Sequence, residues 1–245
     1  AHLHPWVNPP FDEETTVRNS FPGNLPKHLE LSKLQNLTDC IESTFGHRPT
    51  IYKAGRYGVG PNTESILEQL GFDIDVSIRA LADFSDIDGP DFSREGSRPY
   101  WFGTQKRLLE IPLAATYTGG LRRYGSSLQP ALVRQPFRSL RARWLMKRMR
   151  LLEKLTLSPE GHTLNEMKNS VKALHGDGLR VFGMAFHSPS LAPGYTPYVR
   201  SNDDLMRFLD RCKGFFDWFL GDFGGVASHP EEILADLRDT KNGRK

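Results

Sequence analysis

Two periods of apolar and polar positions alternate along this 245-residue chain. Short apolar, β-rich runs at His2–Trp6, Thr50–Ala54, Ile74–Ile78, Leu108–Leu113, Leu152–Leu157, Val181–Phe186 and Gly225–Ser228 each predict a strand. Helical spacing fills several of the intervals. "LELSKLQNLTDCIESTFG" places Leu31, Leu34, Leu37, Ile41 and Phe45 on one face and stops at Gly46. "PNTESILEQLG" opens on Asn62 or Thr63 as N-cap and closes on Gly71. Thr163 is the expected N-cap of "HTLNEMKNSVKALHGDG", and Ser201 or Asn202 that of "SNDDLMRFLDRCKGFFDWFLGDFGG". In the latter, Leu205, Phe208, Leu209, Phe215, Phe216 and Phe219 are available for burial.

Strands alternating with helices predict parallel strands joined by crossover helices, hence an α/β fold. Seven recognisable strands fit a distorted (β/α) barrel or an open doubly wound sheet. "GRYGVGPNT" carries Gly55, Gly58 and Gly60 without G-x-G-x-x-G spacing, which weakens the dinucleotide-binding form. With no internal repeat and no low-complexity linker, residues 1–245 are expected to form a single domain. At 38% apolar and 25% charged residues, the composition supports a buried core and argues against disorder. Cys40 and Cys212 lack any CxxC or CxxH context, so no disulfide framework or zinc knuckle is expected, and a reduced, cytoplasmic setting suits them. No apolar run reaches the roughly 20 residues of a membrane span. The chain starts without Met inside a dense motif, so its natural start is expected upstream.

The net charge of +3 is unevenly placed: Arg122 to Arg150 holds nine Arg and Lys and no Asp or Glu. Within "QPFRSLRARWLMKRMRLL", Leu140, Trp144, Leu145, Met149 and Leu152 recur at helical spacing between arginines, predicting a basic amphipathic helix over 138–152. Such a helix either faces nucleic acid, anionic lipid or an acidic polymer, or seats one face on the core with its arginines in water. The latter is the default, and no nucleic-acid partner is expected.

In folds of this class, chemistry gathers at the carboxyl ends of the strands. Those ends supply His2 and His4; Lys53, Arg56 and Tyr57; Asp75 and Ser77, with Asp83 beyond; Glu110; Glu160 and His162; His187 and Ser188; and His229. A histidine ending a strand is commonly a satisfied loop residue; the concentration of such residues is what favours a site. His2 and His4 stand on alternate positions of a strand and so share a face. Two histidines with a carboxylate form an open zinc site, which polarises a carbonyl and acidifies bound water. His187 is a candidate acid for the leaving group. No third ligand stands beside His2 and His4 in the sequence, so it is expected upstream of residue 1.

"HLHPWVNPP", "YKAGRYGVGPNTESILEQLGFDIDVSI", "ADFSDIDGPDFS", "LLEIPLAATYTG", "LTLSPEG" and "MAFHSPSLAPGYTPYV", in this order, resemble the polysaccharide deacetylase (NodB-homology) family. More narrowly, they resemble its bacterial exopolysaccharide-associated (WalW-like) branch, over nearly the whole chain. The resemblance implies a distorted (β/α) barrel and metal-dependent removal of acetyl groups from N-acetylated sugars of a polysaccharide or glycoconjugate. It further implies zinc, or another divalent metal, at His2 and His4. His187 would be the general acid, with Asp75 and either Lys53 or Arg56 orienting the site. Trp6, Tyr57, Glu160 and Ser188 are the expected substrate-binding residues, and the partner is a carbohydrate. Two departures stand out. The family usually spaces its two histidines more widely than His2 and His4, and its first motif, which carries two carboxylates on the first strand, would precede Ala1. Asp12, Glu13 and Glu14 follow a Pro-Pro break and do not replace that motif, so the chain as given is not expected to act alone.

Two alternatives accompany this expectation. One is a non-catalytic carbohydrate-binding relative whose cleft is lined by aromatics such as Trp6, Tyr57, Tyr100, Trp101, Tyr117 and Tyr198. The other is a different His-x-His metal-dependent amidohydrolase or phosphoesterase, which needs more His and Asp ligands at later strand ends than this chain shows.

Overall fold

Capping and periodicity place the helices where the sequence puts them. The computed structural model describes residues 1–133 and 141–241. Helix α1 (Lys27–Phe45) ends at Gly46 in the left-handed region, and α2 (Thr63–Leu70) ends likewise at Gly71. Helix α5 (Leu164–Gly176) begins with a capping box between Thr163 and Glu166, and α6 (Asn202–Asp217) with one between Ser201 and Asp204. Helices α3 (Gly125–Val133), α4 (Ala142–Arg148) and α7 (Pro230–Lys241) complete the set used below. The basic helix expected over 138–152 is represented by α4; Arg138, Ser139 and Leu140 lie outside the described residues.

The chain falls into two units, one from Ala1 to Pro112 with the chain from Ser228 onward, the other from Leu113 to Ala227. The first holds β1 (His2–Leu3), β2 (Ile51–Ala54), β3 (Ile74–Asp75), β4 (Tyr100–Phe102) and β5 (Leu108–Glu110) in one sheet of order β1-β2-β3-β5-β4. β1, β2, β3 and β5 run parallel in sequence order, and β4 is antiparallel to β5. The inward residues Leu3, Tyr52, Ala54 and Leu108 pack with Leu34 of α1, Ile66, Leu67 and Leu70 of α2, and Phe72. Helix α7 returns to this unit, where Arg238 pairs with Asp73 at 2.9 Å.

The second unit pairs β6 (Ala115–Thr118) with β7 (Glu153–Thr156) antiparallel. Its core joins Ala114 and Leu157 to Met167, Val171 and Leu174 of α5 and to Phe215 and Trp218. Five strands therefore lie in one sheet and two in another, and the described residues show no closed barrel.

Several predicted strands are shorter or absent. β1 stops at Leu3 because Pro5 has no N–H to donate, and Pro5–Val7 turns instead. Val181–Phe186 makes a single bridge, Gly183 to Leu113, with glycine at the middle of the run. Gly225–Ser228 follows Gly224 at φ 72 and forms no strand; Val226 is exposed. Conversely, Tyr100–Phe102 and Ala115–Thr118 pair as strands that periodicity did not single out.

One buried charge organises the chain after β1. Lys33 is fully buried on α1, and its ammonium donates to the carbonyls of Pro5 (3.0 Å), Asn8 (2.8 Å) and Pro10. It also pairs with the buried Glu13 carboxylate at 2.9 Å. Further along, a Cβ on Gly60 would lie 2.2 Å from the Gly23 carbonyl oxygen, so only glycine permits this backbone approach. Replacing Lys33 by Met strands the Glu13 carboxylate and three carbonyl oxygens. Urea unfolding is expected to show a loss of about 3–5 kcal/mol, with Lys33→Met/Glu13→Gln recovering part of it.

Candidate functional site

Strand register brings the first group together. His2 lies opposite Lys53, Tyr52 opposite Asp75, Asp75 opposite Glu110, and Glu110 opposite Tyr100. The carboxyl ends of four parallel strands thus carry two imidazoles, an ammonium and two carboxyls. His4 keeps an extended backbone although β1 has ended, so the alternation survives. The His2 and His4 ring centroids are 4.5 Å apart, at 58°. Gly55 lies so close that a Cβ there would be 2.6 Å from His4 Nδ1.

Asp75 and Glu110 are both buried, and their carboxyls hydrogen-bond each other. Asp75 Oδ1 accepts from the Ser77 backbone N–H at 2.9 Å and from the Ser77 hydroxyl. Ser77 Oγ in turn accepts from the Ala54 N–H at 2.7 Å, and Glu110 Oε1 from the Ile78 N–H at 3.0 Å. Burial pushes the Asp75 carboxyl up to about 6, against the pull of Ser77 and Lys53. Glu110 is pushed well above the usual carboxylate range by burial and by the Asp75 charge. Burial lowers Lys53, while Asp75 and Glu110 oppose that shift. One proton shared by the two carboxyls leaves a single negative charge, which Lys53 balances.

The loop after β2 is strained. Arg56 and Tyr57 adopt φ of 55° and 62°, a left-handed pair without glycine that costs on the order of 1–3 kcal/mol per residue and is concentrated at functional sites. Arg56 donates to Ser20 Oγ at 2.5 Å, and its guanidinium lies 4.5 Å from the Phe21 ring centroid. Lys53, rather than Arg56, is therefore the cation beside Asp75. The Tyr57 ring stacks on Phe84 at 5.7 Å, with Lys53 Nζ 4.7 Å from its centroid. Trp6 is exposed on the turn that follows His4.

The second group lies within the other unit. Glu160 is buried, and its Oε2 meets His187 Nδ1 at 2.7 Å. Its Oε1 accepts from the His187 backbone N–H at 3.0 Å and from the Ser190 hydroxyl at 2.5 Å. The His187 side chain is 62% exposed, that of Glu160 only 5%. Glu160, expected among the substrate-binding residues, holds the His187 ring. Ser188 is exposed at the start of the following turn, Ser188–Leu191. The sequence marks Glu110 as a strand-end residue without a specific role and does not mark Ser190. The signal for Glu110 was a carboxylate inside the apolar run "LLEIPL".

The donors for a metal are incomplete. His2 and His4 supply two of the three protein ligands of an open zinc site. Among the described residues, no group of three His, Cys, Asp or Glu is placed to hold a metal ion. No protein-family model matches the chain, nor does any curated protein or solved structure.

The carboxyl pair sets a pH dependence. The folded Asp75 value of about 6 lies above its ordinary 3.8, so between these values the folded protein holds the proton that the unfolded chain releases. The stability it contributes is complete below 3.8 and is lost as pH rises through about 6. Glu110 extends the loss upward, and the buried Glu30, raised by burial to about 7, adds its own. Glu110→Gln keeps an acceptor for Ile78 and a permanent donor for Asp75. Thermal scans across this range are expected to show a flatter decline in melting temperature for this variant than for the unaltered protein.

Proposed function

We propose that the protein is a hydrolase of the polysaccharide deacetylase type, removing acetyl groups from N-acetylated sugars of a polysaccharide or glycoconjugate. The observation that carries this proposal is the Glu160–His187 pair: a buried carboxylate grips Nδ1 of an exposed imidazole. Held this way, the ring presents Nε2 for proton transfer. Amide hydrolysis needs such a group, because the carbon–nitrogen bond breaks only when the departing sugar amine receives a proton. His187 delivers that proton. Within the first unit, Asp75, Glu110 and Lys53 hold the electrostatics of the strand ends around His2 and His4, and Trp6 and Tyr57 are assigned to the sugar; within the second, Ser188 beside His187 has the same assignment.

A distorted (β/α) barrel belongs to this proposal, supported by the consecutive parallel order of β1, β2, β3 and β5. So does a divalent ion, zinc by preference, for which His2 and His4 would be two of the ligands. A second function, carbohydrate binding without turnover, is favoured by the exposure of Trp6, Tyr195 and Tyr198, aromatic faces suited to stacking on sugar rings.

Acetate release from N-acetylglucosamine oligomers, with metal analysis of the same protein, separates the two. His187→Asn is expected to lower kcat by about 100- to 10,000-fold with little change in KM. Glu160→Gln is expected to have a smaller effect on kcat, because the amide keeps part of the hydrogen bonding that holds the ring. Oligomer binding without acetate release, unchanged by His187→Asn, would establish the binding protein instead.

A further inference from the structure

The connection between β6 and β7 is far larger than a hairpin needs. The two antiparallel strands could be joined by a few residues, yet the chain leaves at Gly119 and returns at Leu152. The base of this excursion is closed by Gly120 N–H donating to Arg150 O at 3.1 Å and by Leu121 N–H donating to Leu151 O at 2.7 Å. Its sequence from Arg122 to Arg150 has nine basic residues and no acidic one. Arg122 pairs with Asp177 at 2.5 Å, and Lys147 with Glu153 and Glu166 (2.9 Å to the latter), anchoring the excursion to its own unit. Arg123, Arg141, Arg148 and Arg150 are exposed.

Helix α4 is split between two faces. Ala142 and Met146, one turn apart, are half-buried. On another side, Trp144 is 61% exposed, Leu145 50% and Met149 57%. The Arg148 guanidinium lies 5.9 Å from the Trp144 ring centroid. Large apolar side chains are thus held in water beside arginines.

We propose that α4 and the exposed arginines Arg123, Arg141, Arg148 and Arg150 form a docking surface for an anionic phospholipid bilayer. The arginines supply attraction to acidic headgroups. Trp144, Leu145 and Met149 supply the apolar face that enters the boundary between headgroups and acyl chains. Charge alone would suit any polyanion. The exposed aliphatic side chains decide among them, since neither nucleic acid nor an acidic polysaccharide offers an apolar phase for leucine and methionine. No helix among the described residues is long and apolar enough to cross a membrane, so the contact is peripheral. It involves none of the residues assigned to hydrolysis and stands whether or not that assignment holds.

The test is cosedimentation of the full chain with phosphatidylcholine vesicles, with and without about a third phosphatidylglycerol. Binding is expected only to the anionic vesicles and is expected to weaken as salt is raised. Arg148→Glu/Arg150→Glu is expected to lower partitioning by more than tenfold, each lost charge being worth roughly fivefold. Trp144→Ser/Leu145→Ser is expected to lower it comparably, with circular dichroism of both variants unchanged. Equal binding to neutral vesicles, or no binding to anionic ones, overturns the proposal. So does vesicle binding insensitive to the serine pair with equally tight retention of the protein by duplex DNA, which would mark a purely electrostatic polyanion face.

Discussion

An ammonium group taken out of water must find compensating oxygen atoms, and two lysines meet that demand along the first unit's sheet. Lys33 gathers three backbone carbonyls and the Glu13 carboxylate, which fixes the course of the chain leaving β1. Lys53 stands beside Asp75 and Glu110, whose shared proton leaves one negative charge to match it. The His2–His4 pair adjoins both: His2 stands opposite Lys53 on the neighbouring strand, and His4 directly precedes Pro5, whose carbonyl accepts from Lys33. The strained Arg56–Tyr57 turn joins the same edge: Tyr57 lies against Lys53, while Arg56 reaches away to Ser20.

Much of this was legible in the sequence where local chemistry decides the outcome. Gly46 and Gly71 ended their helices because a left-handed residue was needed there, and Thr163 and Ser201 opened theirs through side-chain acceptance from the first turn. Strand ends were harder, because a strand exists only if another backbone lies beside it. Val181–Phe186 has the composition of a strand and finds one bridge; Ala115–Thr118 finds a full partner in β7. Periodicity carries no information about that difference.

The same limit applies to the functional residues. The sequence marked Glu160, His187, Asp75 and Lys53 as chemically unusual, and the structure joins them in two groups, Glu160 with His187 and Asp75 with Lys53. What it could not supply was the division of labour within each group. Glu160 holds an imidazole and a serine hydroxyl at once, a pairing that only the folded chain reveals. Glu110 acquires its importance only from the register that sets it against Asp75.

The closed base of the β6–β7 excursion has an evolutionary consequence. Because two backbone hydrogen bonds seal its entry and exit, the strands below register on each other independently of what the excursion contains. Lengthening a connection adds little closure entropy, only about 0.6 kcal/mol per doubling. The segment is therefore a modular graft: its length, charge and apolar content are free to drift or be exchanged wholesale while the β6–β7 pair inherits no change.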